Sequence, residues 1–153
     1  MRQLGTRDFD RLNKHIQDFV GAAPSDISTA SLKEPYSIVM NTENHLEGGD
    51  HWVAMRVDSQ TFMFLDSFGR EPSDMSFPND FRQTVKRMGQ GRKLIYNTKL
   101  VQALDSNACG FHAIFFLDSL ALNKPLRTIL RVFGSDLAAN DAFVFRYFKN
   151  NFM

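Results

Sequence analysis

Val101-Gln102-Ala103-Leu104-Asp105-Ser106-Asn107-Ala108-Cys109-Gly110-Phe111-His112-Ala113-Ile114-Phe115-Phe116-Leu117 contains the chain's only cysteine, set between turn-forming polar residues and a strongly apolar run. A cysteine at that junction opens a helix. There, unpaired backbone N–H groups and the positive end of the helix dipole favour the nucleophilic thiolate. Taken alone it reads more readily as a buried core residue, because free Cys is among the most buried residue types. The residues around it must decide between the two.

A chain of 153 residues fits one domain, 1–153, that can bury about two thirds of its unfolded surface. Hydrophobic residues at 43% and charged residues at 23% are ordinary for a globular protein. A formal net charge of +1 excludes the strongly basic character of a dedicated nucleic-acid binder, while leaving room for a local patch. One cysteine rules out an intrachain disulfide and points to a reducing compartment. No run has the plan of a signal peptide or approaches the roughly 18 apolar residues of a membrane span, so an intracellular, unsecreted protein with no membrane partner is expected.

Upstream, Phe9, Leu12, Ile16, Phe19 and Val20 share one apolar stripe, predicting an amphipathic helix over 7–20 capped by Thr6. Residues 21–35 read as a connecting loop and Tyr36 to Asn41 as a short strand. After the polar stretch ending in Gly48-Gly49-Asp50, His51 to Val57 and Thr61 to Asp66 read as a β-hairpin. With a two-residue loop His51 lies opposite Asp66; with a four-residue loop the two are diagonal neighbours. Both registers put them on one face with Val53, Met55, Phe62 and Phe64, whereas a bulged three-residue loop would not. Asn79 is the expected cap of a helix presenting Phe81, Val85 and Met88 and ending at Gly89.

Residues 93–102 read as another strand. Asp105, Ser106 or Asn107 is the expected cap of the Cys109 helix. Short helices follow around Leu126 to Phe133 and over 140–150. Arg82, Lys86, Arg87, Arg92 and Lys93 form a basic run with no acid in it, readable as a solvated helix face or as a DNA-binding patch. The four histidines have no ligand spacing with Cys109, so no metal or other cofactor is expected.

Cysteine catalysis needs a base for the thiol proton, a group to orient that base, and donors for the oxyanion. His51, Asp66 and Gln102 are candidates for these parts beside Cys109. His112, three residues after Cys109, is a competing base. It ranks below His51 because a shared helix does not readily give it both the thiol and an orienting carboxylate.

Three blocks carry a resemblance to the adenovirus-type cysteine proteases (adenain family), within a clan shared with SUMO-specific proteases. They are Ile38-Val39-Met40-Asn41-Thr42 followed by Gly48-Gly49-Asp50-His51-Trp52, then Leu65-Asp66-Ser67-Phe68-Gly69, and Gln102 through Cys109-Gly110. The resemblance covers about residues 36 to 120. It implies an α+β, papain-like fold of permuted topology, with a small mixed sheet packed against a central helix that starts at the nucleophile. It also implies Cys109 as nucleophile, His51 as base, Asp66 as its orienting group and Gln102 as oxyanion donor. Gly49, Trp52 and Gly110 would line the substrate site, Trp52 as a wall or on Gln102.

The implied function is a viral endopeptidase that cleaves capsid or core precursor polypeptides beside small residues such as Gly, acting as a monomer in the host nucleus or cytoplasm and in the virion. The family's usual Glu is replaced here by Asp66, as in the SUMO proteases, which keeps a ubiquitin- or SUMO-type isopeptidase as an alternative. A non-enzymatic DNA-binding virion protein is the other. With Cys109 the sole cysteine, a disulfide-linked peptide activator is excluded, so any peptide activator must be non-covalent. DNA as an activator stays open, resting on the basic run and on Lys124, Arg127, Arg131, Arg146 and Lys149.

Overall fold

The computed structural model describes residues 1–43 and 51–153. The Gly48-Gly49-Asp50 segment, with the expected substrate contact Gly49, lies outside the described residues, as does His45. Five strands form one mixed sheet in the order β1 (Phe19–Ala23), β2 (Tyr36–Asn41), β3 (Trp52–Val57), β4 (Thr61–Leu65) and β5 (Lys93–Tyr96). β1 runs parallel to β2 and β5 parallel to β4, while the two central pairings are antiparallel. The hairpin takes the four-residue register, with Ala54 opposite Leu65 and Val57 opposite Phe62. His51 and Asp66 are therefore diagonal neighbours just past the paired strand ends.

Alternation along the strands sends residues to two separate cores. On one face Ile38, Met40, Val53, Met55, Val57, Phe62 and Phe64 meet Phe77 and the Phe81, Val85 and Met88 stripe of α1 (Asn79–Gly89). On the other, Val39, Trp52, Ala54 and Leu65 pack against α2 (Cys109–Ala121), which is backed by α3 (Leu126–Arg131) and α4 (Leu137–Phe152). α2 is buried continuously from Cys109 to Ser119, as a helix that is apolar on every side must be. Its first turn meets the hairpin at the edge of this layer. The fold is thus the α+β, papain-like arrangement with a central helix beginning at Cys109.

Several local expectations are corrected. The helix predicted over 7–20 is a 3-10 helix from Thr6 to Lys14, entered from Gly5 rather than capped by Thr6, and Phe19 and Val20 belong to β1. The apolar stripe is real, with Phe9, Leu12 and Ile16 buried. Beyond it, Asp18 diverts the chain to the sheet edge: its carbonyl accepts from Ser37 N (2.9 Å), and its carboxylate takes the Ser37 hydroxyl (2.9 Å) and Arg56 (3.2 Å). α1 begins at Asn79 with Pro78, not Asn79, in the capping position. The strand expected over 93–102 stops at Tyr96, because Asn97 turns inward and is 1% exposed. α2 is preceded by Ala108, with no side-chain cap. The last helix starts at Leu137, earlier than expected, where Asp136 accepts from Ala139 N at 3.1 Å.

Candidate active site

His51 sits immediately before β3, its carbonyl accepting from Thr42 N at 2.9 Å and so extending the β2–β3 ladder by one step. Its Nε2 lies 2.6 Å from Asp66 Oδ1, in a pocket that leaves His51 8% and Asp66 0% exposed. The other ring nitrogen, Nδ1, remains for the thiol, and Cys109 lies near enough to His51 to favour its charged form. Burial by itself disfavours a charged imidazole, yet Asp66 and Cys109 outweigh it and raise His51 from 6.5 to about 9. Burial likewise pushes Asp66 up, but His51 and then Arg70 pull its carboxyl below the usual carboxylate value. The pair is therefore held as imidazolium and carboxylate. A cation beside a cysteine favours the thiolate.

The structure brings Cys109, His51 and Asp66 into one connected group, and Gln102 is built into the same strand-end framework. The Gln102 amide is buried, with Oε1 accepting from Ser67 Oγ at 2.5 Å and Nε2 donating to Ser106 O at 3.0 Å. Ala108 carries no capping side chain, and the Ser106 hydroxyl takes the Ala108 N–H at 3.4 Å, so among the described residues no side chain caps the N–H groups of the first turn of α2, as an anion site at a helix start requires.

Trp52, expected as a wall of the site or on Gln102, does not give its N–H to Gln102. Its indole N–H donates to Leu4 O at 2.9 Å and its ring meets Phe9 edge-on at 4.8 Å, so the N–H is committed to Leu4, not to Gln102. Gly110 lies under Leu4: a Cβ there would come within 2.9 Å of the leucine Cβ. His112 finds a carboxylate, with Nε2 2.8 Å from Asp141 of α4, but its Nδ1 has no partner among the described residues. The basic run is partly consumed internally. Arg92 bonds the Asp58 and Met88 carbonyls and pairs with Glu34, and Arg82 bonds the Phe77 carbonyl, whereas Lys86, Arg87 and Lys93 are exposed.

Four supporting residues escape a search by catalytic type. Arg70 donates through Nε to Asp66 Oδ2 at 2.8 Å and lies 4.0 Å from the Phe77 ring. Phe68 stacks on the His51 ring at 4.8 Å. Asn97 clamps residue 66 by its backbone, accepting from Asp66 N (3.1 Å) and donating to Asp66 O (2.6 Å). Ser67 holds Gln102. The one sequence signal for Ser67, Phe68 and Arg70 is the continuity of Asp66-Ser67-Phe68-Gly69-Arg70, a turn in which Gly69 has φ +73° and a Cβ would strike the Thr98 carbonyl at 2.7 Å, and Asn97 has none.

A mixed sheet packed on a helix that opens at a cysteine, with a His–Asp pair at the strand ends, defines a papain-like cysteine-peptidase fold. Comparison with known proteins narrows this. The family model described as Adenovirus endoprotease matches residues 27–131, and the chain belongs to that family of viral cysteine proteases. It is 27% identical over 132 residues to a thiol protease of Acanthamoeba polyphaga mimivirus, covering 73% of this chain and 43% of that one. It is 31% identical over 101 residues to the protease of Bovine adenovirus B serotype 3, covering 60% and 49%. The chain thus spans about half the length of the curated relatives it matches. A crystal structure of the ASFV pS273R protease shares the fold at a TM-score of 0.57 and 15% identity, over 99% of this chain and 68% of that one.

Proposed function

We propose that this chain is a cysteine endopeptidase that cleaves viral precursor polypeptides beside small residues such as Gly. The observation that carries the reading is the buried His51–Asp66 pair at 2.6 Å, with Cys109 opening α2 near the same imidazole. In this scheme the Cys109 thiolate attacks the peptide carbonyl carbon, and the carbonyl electron pair moves onto oxygen. Gln102 Nε2–H and the Cys109 backbone N–H receive that oxyanion. As the tetrahedral species collapses, the C–N bond breaks and His51 gives its proton to the departing amine, leaving a thioester. His51 then takes a proton from water as the water oxygen attacks the thioester, and the C–S bond breaks to release the acid and restore the Cys109 thiolate beside the His51 imidazolium. Asp66 holds the ring in register and favours its charged form throughout.

The family membership and the viral relatives support the substrate class, and DNA remains a candidate partner through the exposed Lys86, Arg87 and Lys93. Incubation with glycine-containing capsid-precursor peptides and with ubiquitin-like fusions tests the reading. Peptide cleavage is expected, abolished in Cys109→Ala and His51→Ala. Full activity in Cys109→Ala would refute the mechanism, and preferential cleavage of the fusions would replace the substrate class with the isopeptidase one.

A further inference from the structure

We propose that Ser67 is a positioning residue that sets the Gln102 side-chain amide for the oxyanion, so that the Asp66-Ser67 dipeptide fixes the base and the oxyanion donor together. The role rests on the protease reading above. Successive residues at a strand end point to opposite sides. Asp66 turns its carboxylate to His51, and Ser67 turns its hydroxyl to Gln102. Ser67 grips residue 102 twice: its hydroxyl donates to Gln102 Oε1 (2.5 Å), and its carbonyl accepts from the N–H groups of Val101 (2.9 Å) and Gln102 (3.2 Å). At the far end of the amide Nε2 donates to the Ser106 carbonyl, which can only accept, at 3.0 Å, and to the Ser106 hydroxyl at 3.2 Å, the longer contact that an arriving oxyanion would replace. The Ser106 carbonyl fixes which end of the amide carries the NH₂ group, and the Ser67 hydroxyl, donating to Oε1, holds the other end in place.

A glutamine side chain otherwise carries rotamer freedom that must be given up each time it meets an oxyanion. Donors fixed in advance do not bear that cost during the reaction. Both residues are 1% exposed, so Ser67→Ala leaves a buried Oε1 without its donor, and the amide is free to turn or to take in water. The Asn97 clamp on the residue 66 backbone extends the same framework to β5, so one rigid step serves both halves of the chemistry.

The test compares Ser67→Ala, Ser67→Thr, Gln102→Ala and Ser67→Ala/Gln102→Ala. Expected for Ser67→Ala is a kcat lower by about tenfold at unchanged KM, with Ser67→Thr close to wild type. Alkylation of Cys109 by iodoacetamide, which needs no oxyanion donor, should keep its wild-type rate and pH profile. The double variant should be no slower than Gln102→Ala. In heteronuclear NMR the Gln102 side-chain amide resonances should shift and exchange faster in Ser67→Ala. Wild-type kcat in Ser67→Ala, multiplying defects in the double variant, alkylation lost in step with kcat, or unmoved amide resonances would each overturn the proposal. A wild-type chain that is alkylated at Cys109 but turns over no peptide would defeat the protease reading instead, and the amide resonances would still decide whether Ser67 sets Gln102.

Discussion

Replacing Asp66 by Asn is the sharpest probe of the site because the structure surrounds that side chain with donors. Oδ1 faces His51 Nε2 at 2.6 Å, and Oδ2 takes Arg70 Nε at 2.8 Å and Arg70 N at 3.2 Å. An amide has one accepting end and one donating end, so while His51 is charged its NH₂ group meets an N–H in either orientation. The distance between 6.5 and about 9 corresponds to about 3 kcal/mol in favour of the His51 imidazolium. Burial, the largest single influence, acts against the charge, and losing the carboxylate leaves it opposed by Cys109 alone. We expect His51 in Asp66→Asn to titrate well below 9, and kcat/KM to fall by about a hundredfold while remaining measurable.

Following the His51 ring proton by NMR against pH, beside the rate of Cys109 alkylation, reads both effects. The folded state takes up the proton, so the stability from this site is fully present below 6.5 and is lost as pH rises through about 9. Asp66→Asn should flatten that slope. Adding Arg70→Met should restore part of the lost activity, because the amide can then turn its NH₂ group away from the imidazole. A wild-type midpoint near 6.5, or an Asp66→Asn midpoint still near 9, would refute the electrostatic argument; a double variant weaker than both single variants combined would refute the donor-crowding argument.

Gly110→Ala should destabilise the fold by about 1–3 kcal/mol in urea unfolding, since the new methyl meets Leu4 at 2.9 Å, and Leu4→Ala in the same chain should recover part of the loss. Asn97→Ala should cost about 2 kcal/mol by leaving the buried Asp66 N–H unpaired, and should lower kcat more than it raises KM. His112 should titrate below 6.5, because burial outweighs the Asp141 bond; an NMR midpoint above 6.5 would contradict this.

The hairpin was legible because its two faces have different work to do. The alternation of Val53, Met55, Phe62 and Phe64 admits few registers, and the observed one keeps His51 and Asp66 on a shared face. The Cys109 helix was legible from its unbroken apolar run, which leaves no solvent face. β1 was not, because Phe19 and Val20 continue a helical stripe whose override is a parallel partner across the Ser37 region, invisible to local periodicity. The framework of Ser67, Asn97 and Arg70 was hidden for a related reason. Ser67 and Asn97 act on partners brought near by the sheet, and no spacing rule marks a residue whose partner lies 31 or 35 positions away; Arg70 meets Asp66 four positions back, through a turn that no periodicity describes.

That framework also explains why one histidine beside Cys109 is charged and the other neutral. His51 and His112 each have a buried Asp within hydrogen-bond reach, at 2.6 and 2.8 Å, so the carboxylate alone cannot separate them. The difference lies in the remaining neighbours. His51 adds Cys109 to its carboxylate, and Asp66 is kept ionised by Arg70 behind it. At His112 burial is the largest influence, Asp141 offsets it only in part, and the positive His51 opposes a second charge nearby. A charge placed on His51 therefore helps keep His112 neutral, and the proton is concentrated on the imidazole that faces the thiol. Pairs of like groups driven apart in this way mark where acid–base work is assigned. Here the division follows from Arg70 and Cys109, two residues outside the His–Asp pairs themselves.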